Sequence, residues 1–290
     1  MSPLKRTLIA SAVLIASSTI LYSFDWPQTE IMSDSFFSYF GQLRGGTISS
    51  SLVFGEPAEV KSADSGRLTV IIEEHDSANW FDSTLGNAVI LAHNDNMITV
   101  YGNIDSEGAP ADLDTKTDIP IGTFLGNSGN SAWQNGQSCL EFQVSDTKNR
   151  AAINPRVLMP RIGKELELNV TGLSAISKTG ELIDFNTRRS LPSGTYLLYR
   201  DRQEIAMPYK ANVFINGTLV ESISYDSLRQ SDGRLCLSGK RLYTVKEAYP
   251  TEKKHGLGEI TLPKGHNTVS VVVSDILGHE ESITYNLDAY

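Results

Sequence analysis

Cys139, Glu141 and Gln143 are the residues whose types and spacing invite a chemical reading. They occupy alternate positions of the run Gln137-Ser138-Cys139-Leu140-Glu141-Phe142-Gln143-Val144. Leu140, Phe142 and Val144 fill the positions between, which is the period of two of a strand with one face on a core. Such a strand puts the thiol and the carboxylate on one face. Cysteine catalysis needs a thiolate and a base within reach. A carboxylate beside a thiol raises its pKa, which works against the thiolate. The run offers a nucleophile without an evident means of activating it.

The strand must be positioned by its neighbours, and these read as β throughout. Val60, Leu68, Val70 and Ile72 sit in short apolar pieces broken by Ser65-Gly66. Residues 88–92 and 97–101 are two more strands, separated by the polar turn His93-Asn94-Asp95-Asn96. Residues 119–125 follow, then a stretch rich in Gly, Ser and Asn over 126–138. Further on, Asn216-Gly217 between 211–215 and 218–222 is the strongest hairpin signal, because Asn-Gly supplies the positive φ values of a two-residue turn. Strands over 195–200, 268–274 and 282–287 with Gly-rich turns suggest a β-sandwich. We therefore expect an all-β chain divided into a leader (1–24), a linker or short helix (25–44), a β domain (45–160), a connector (161–190) and a sandwich (191–290). The helix expectation rests on Phe36, Phe37 and Phe40, whose spacing suits one helix face.

Ordered motifs over residues 45–160 resemble the lysostaphin/LytM-type zinc endopeptidases, which cut peptidoglycan cross-links. The chain has Gly86-Asn87-Ala88-Val89-Ile90-Leu91-Ala92-His93 where that family shows Gly-Asn-x-Val-x-Ile-x-His. It has Thr99-Val100-Tyr101-Gly102-Asn103-Ile104 for Thr-x-Tyr-x-His-Leu. Ile121-Gly122-Thr123-Phe124-Leu125-Gly126-Asn127-Ser128-Gly129-Asn130 follows the Gly-rich family stretch. Residues 60–66 resemble the turn before a core strand, and Ile153-Asn154-Pro155 the usual close. The resemblance implies a LytM-like β-sheet domain of the duplicated hybrid motif type. Residues 191–290 resemble the immunoglobulin-like sandwiches often fused to exported bacterial proteins.

The resemblance also shows what is missing. The family run Gly-x-His-Leu-His-Phe-Glu-Val has lost both histidines here, to Cys139 and Glu141. The family's His-x-x-x-Asp zinc ligands should fall near 47–54, which reads Thr-Ile-Ser-Ser-Ser-Leu-Val-Phe. A catalytic zinc needs three protein ligands and an open position, and one carboxylate, Glu141, does not make that set. The auxiliary histidines match Asn103 and Cys139. Asn103 can donate a hydrogen bond but cannot shuttle protons near neutral pH, so it is a weak base for Cys139, as is Glu141. Asn103, Cys139 and Glu141 thus mark degenerate active-site positions. No catalytic residue, metal or cofactor is expected. His93 reads as a satisfied turn histidine, and no spacing demands a metal site from His75, His93 and Glu141. For groove binding, the candidates are His93, Asn127, Asn130, Trp133 and Gln143, with Gln134 and Asn135 on the same rim. His255, His266 and His279 read as surface residues of turns.

Composition sets the remaining bounds. The formal net charge of the 290 residues is -9, with no basic tract, which argues against nucleic acid. Lys5 and Arg6 precede a mostly apolar run over 8–24, short for a span of roughly 20 residues, and read as an export signal or an uncleaved anchor in the cytoplasmic membrane. The two cysteines, Cys139 and Cys236, are expected as free thiols. The expected function is a catalytically inactive envelope or periplasmic protein that binds peptidoglycan or an envelope protein in wall remodelling or division. The alternative is an active zinc endopeptidase with a rearranged site.

Overall fold

Leu140, Phe142 and Val144, the apolar half of the alternating run, are fully buried, while Cys139 and Glu141 alternate with them. The computed structural model describes residues 24–73, 83–105, 109–132 and 139–290. Its first half carries β1 (Phe36–Ser38), β2 (Leu43–Arg44), β3 (Thr47–Ile48), β4 (Ser51–Phe54), β5 (Glu59–Lys61), β6 (Gly66–Ile72), β7 (Asn87–Ala92), β8 (Met97–Ile104), β9 (Asp118–Ile119), β10 (Phe124–Asn127), β11 (Glu141–Asp146), β12 (Ala151–Ile153) and a helical turn, α1 (Pro155–Leu158). The second half carries β13 (Ser174–Ser177), β14 (Leu182–Asp184), β15 (Ser190–Leu191), β16 (Gly194–Asp201), β17 (Lys210–Ile215), β18 (Thr218–Ser231), β19 (Arg234–Ser238), β20 (Leu242–Tyr243), α2 (Val245–Ala248), β21 (Lys254–Leu262), β22 (Gly265–Ser274) and β23 (Glu280–Ala289). The described chain is predominantly β-strand.

Strand β11 is central to the first half. One edge pairs antiparallel with β8, placing Glu141 opposite Gly102 and Val144 opposite Thr99. The other edge pairs first with β4, Gln143 opposite Ser51, and then with β12, Val144 opposite Ile153. Phe54, Tyr101, Leu125, Phe142 and Val144 form one apolar cluster beneath it. The hairpin β7–β8 turns through Asp95 and Asn96, at φ 62 and 64. Both are residue types that tolerate the left-handed region.

The halves share backbone hydrogen bonds. β12 also pairs with β18, Ala152 opposite Leu228. Among the described residues a 15-stranded sheet therefore runs through both halves. A four-stranded sheet, β14-β13-β16-β21, lies apart from it in pairing. Leu198 and Ile260 of that sheet share a second apolar cluster with Val213, Val271 and Leu287 of the large one. Asn216 and Gly217, at φ 51 and 78, make the tight β17–β18 turn.

Three expectations are corrected. No helix forms over Phe36, Phe37 and Phe40. Phe36–Ser38 is a strand on β4, and Phe40 is carried inward by the turn after it, where Gln42 Oε1 accepts from Tyr39 N at 3.1 Å. The spacing imitated a helix face because a strand and a turn follow each other there. The segment expected as a connector contains β13 and β14, whose buried Ala175 and Ile183 are too few to raise a period-two signal. His255 is no surface residue: it lies in β21 and is 1% exposed. Both cysteines are buried free thiols. The leader's residues 1–23 lie outside the described residues. Among the described residues no helix is long and apolar enough to cross a membrane.

Candidate functional site

The polar face of β11 begins at Glu141, whose side chain is nearly sealed from solvent. A buried carboxylate needs partners for its charge and its lone pairs. Arg44 Nη2 approaches Oε2 at 3.1 Å. Ser51 Oγ donates to Oε1 at 2.6 Å, and Gln143 Nε2 donates to the same oxygen at 3.2 Å and to Ser51 Oγ at 3.0 Å. Register explains the cluster, because Gln143 stands directly opposite Ser51. Arg44 arrives by a two-residue turn, with Gly45 and Gly46 at φ 55 and 76 joining β2 to β3. Glycine is needed there because both turn residues are left-handed.

Asn103 and Cys139 adjoin this cluster. On β7, consecutive Asn87 and Ala88 face Ile104 and Gly102, so Asn103 is the extra residue of a bulge, at φ 62. A bulge re-aims a side chain. Asn103 Nδ2 donates to the Cys139 carbonyl at 2.6 Å and lies 3.7 Å from Sγ, and Oδ1 accepts from Ala132 N at 2.9 Å. The carboxamide thereby ties Ala132 of the Gly-rich stretch to Cys139, two residues before β11. Burial pushes the Cys139 thiol above its ordinary pKa, and the Glu141 charge adds to this, against the Asn103 hydrogen bond and the Arg44 charge. A protonated, buried thiol is a poor nucleophile and a poor metal ligand.

These residues do not fit a zinc ion. Among the described residues no group of three or more His, Cys, Asp or Glu side chains could hold a metal. The carboxylate that would remain as a ligand faces a guanidinium and a hydroxyl instead. The Ser51 hydroxyl, within the 47–54 stretch, is spent on that carboxylate.

His93 lies elsewhere. Nδ1 is 2.9 Å from Ser65 O and Nε2 is 2.7 Å from Thr99 Oγ1. The ring also meets Phe24 edge-on at 5.3 Å. Thr99 stands opposite Val144, on the core face of the sheet, so His93 and Glu141 occupy opposite faces. Gly66 permits this packing, since a Cβ there would come within 2.7 Å of Nδ1. Asn127 and Asn130 are exposed. Trp133, Gln134, Asn135 and His75 lie outside the described residues. The structure thus brings together Asn103, Cys139, Glu141 and Gln143. It adds Arg44 and Ser51, which sequence reasoning missed. The available signal was Arg44 directly before Gly45-Gly46, a tight turn that could return a cation to the domain. A cleft of about 650 Å³ opens beside Arg44, Glu141 and Gln143, and Arg234 and Lys246 also line it.

Comparison with known proteins finds matches in both halves of the chain. The family model described as peptidase family M23 matches residues 50–155, and a model without a functional description matches residues 167–290. An uncharacterized protein of Treponema pallidum (strain Nichols) is 32% identical over 138 residues, covering 44% of this chain and 92% of that protein. Among solved structures, the SpoIIIAH and SpoIIQ complex aligns at 16% identity and a TM-score of 0.36, covering 46% of this chain and 96% of that one. The catalytic domain of a mutant of the prophage-encoded M23 protein EnpA from Enterococcus faecalis aligns at 18% identity and a TM-score of 0.33, covering 41% and 87%.

Proposed function

We propose that this chain, whose residues 50–155 match the model of peptidase family M23, is a member without peptidase activity that serves as a binding protein of the cell envelope. In this reading residues 45–160 keep the LytM-like duplicated hybrid motif and its groove, and residues 191–290 form an immunoglobulin-like sandwich. The groove or the sandwich binds peptidoglycan or an envelope protein during wall remodelling or division. Residues 8–24 export the chain and, if uncleaved, tether it to the cytoplasmic membrane. One observation carries the reading. Glu141, at the family's third ligand position, is committed to Arg44 and Ser51. A site that neutralises its carboxylate with a guanidinium keeps the scaffold while replacing the metal's charge by an internal one. Pull-down with intact sacculi and with membrane extracts tests the binding role. Retention of the protein by either supports it. Absence of binding to both, with zinc-dependent clearing of sacculi, contradicts it.

A further inference from the structure

The cleft beside Glu141 has a wall that the peptidase-like half does not supply. Arg234 at the start of β19 and Lys246 of α2 line the same cleft of about 650 Å³ as Arg44 and Gln143. Glu141 is paired with Arg44. Arg234 and Lys246 are exposed, and neither makes an ion pair among the described residues. Glu247, next to Lys246, is held by Arg241 at 2.8 Å. Among the described residues the lining therefore carries two positive charges without an ion-pair partner, in a chain whose formal net charge is -9. A cleft lined by one sign of charge between low-dielectric walls concentrates ligands of the other sign. Its occupant also meets apolar surface, because Ile48, Leu85, Leu235 and Val245 line the same space. Separated anionic groups with apolar groups between them describe a peptide better than inorganic phosphate or a nucleic-acid backbone.

We propose that this cleft binds an acidic peptide segment, with carboxylates on Arg234 and Lys246 and apolar side chains along Leu85 and Leu235. The inference rests on the proposed binding role and names what that role recognises. The segment belongs to a partner protein, whose side chains can alternate carboxylates with apolar groups, and binding of wall peptides instead is an outcome of the test.

The test is fluorescence anisotropy of the full chain with a labelled hexapeptide alternating Glu and Leu, against the same peptide with Gln for Glu. Binding of the Glu peptide that weakens with salt is expected, with little binding of the Gln peptide. The Arg234→Ser/Lys246→Ser double variant should lose about tenfold in affinity, as removal of two charges facing a ligand does. Lys240→Ser, an exposed charge outside the cleft lining, should change nothing. Competition by an acidic envelope-protein segment supports the proposal, and competition by soluble wall peptides alone overturns it. Equal binding of both peptides, or unchanged binding by the double variant, overturns it. Sacculi and membrane-extract pull-downs with both proteins run in parallel. If wild type and double variant are retained equally, the cleft assignment fails and the binding role stands. If nothing binds in any arm, both fail.

Discussion

The guanidinium of Arg44 lies 3.1 Å from the carboxylate of Glu141, across 97 residues of sequence. This pairing gives a nearly buried carboxylate its countercharge from within the chain. Removing one partner leaves the other desolvated, whereas removing both relieves the problem. Arg44→Met is expected to destabilise the protein by about 1.5–3 kcal/mol, the range for a hydrogen bond to a charged group. The double variant Arg44→Met/Glu141→Leu should recover part of that loss. Urea unfolding of the single and double variants measures both. A single variant within about 0.5 kcal/mol of wild type shows the pair to be incidental.

Asn103 combines a left-handed backbone with a hydrogen-bonded side chain. Asn103→Gly loses the side-chain bonds but relieves the backbone, and Asn103→Ala loses the bonds and keeps the strain. The alanine variant should therefore be the less stable by about 1 kcal/mol. Equal stabilities would show that the bulge relaxes to an ordinary extended conformation.

Cys139 should be unreactive in the folded protein. Its folded pKa is raised, first by burial, above the unfolded value. The fold therefore favours the neutral thiol. This contribution to stability is fully present below the unfolded pKa, near 8.5, and is lost as pH rises through the folded one. Alkylation at neutral pH should be slow until urea unfolds the chain, and Cys139→Ala should reduce the loss of stability in alkaline solution. Rapid labelling of folded protein at neutral pH contradicts this environment.

His255 acts in the opposite direction. It stacks on Tyr249 with ring centroids 4.8 Å apart, and its Nε2 is 2.9 Å from the Tyr225 hydroxyl. Burial, followed by the charges of Arg200 and Arg202, depresses its pKa well below the ordinary value. The fold favours the neutral ring. Its contribution is present above the unfolded pKa, near 6.5, and is lost as pH falls toward the folded one. Urea midpoints at pH 7.5 and pH 5 should differ more for wild type than for His255→Phe. An unchanged difference places the acid sensitivity elsewhere.

Much of the fold was legible because its signals are local. Alternation through Leu140, Phe142 and Val144, the polar turn at 93–96 and the Asn216-Gly217 turn each declare themselves within a few residues. The all-β character followed from them. Arg44 was not legible, because its meaning depends on a partner far along the chain and on a tight turn that aims it there. The β12–β18 pairing that joins the halves has the same cause: short strands carry little pattern, and a partner is fixed by tertiary packing. His255 was misread because a histidine near turn residues resembles a surface residue until its aromatic neighbours are known. Asn103 was found through its motif position, but its bulge and its bond to the Cys139 carbonyl belong to the register of β7 on β8.

The most direct measurement is the zinc content of the purified chain together with turbidity of sacculi in added zinc. It is made for wild type, Glu141→Ala and the double substitution Cys139→His/Glu141→His. The account predicts no stoichiometric zinc and no clearing by any of the three. The double substitution restores the two histidines at positions 139 and 141 but not the upstream ligands, and a catalytic zinc requires three protein donors. One bound zinc per wild-type chain, with zinc-dependent clearing that Glu141→Ala abolishes, would contradict the account and make Glu141 a metal ligand.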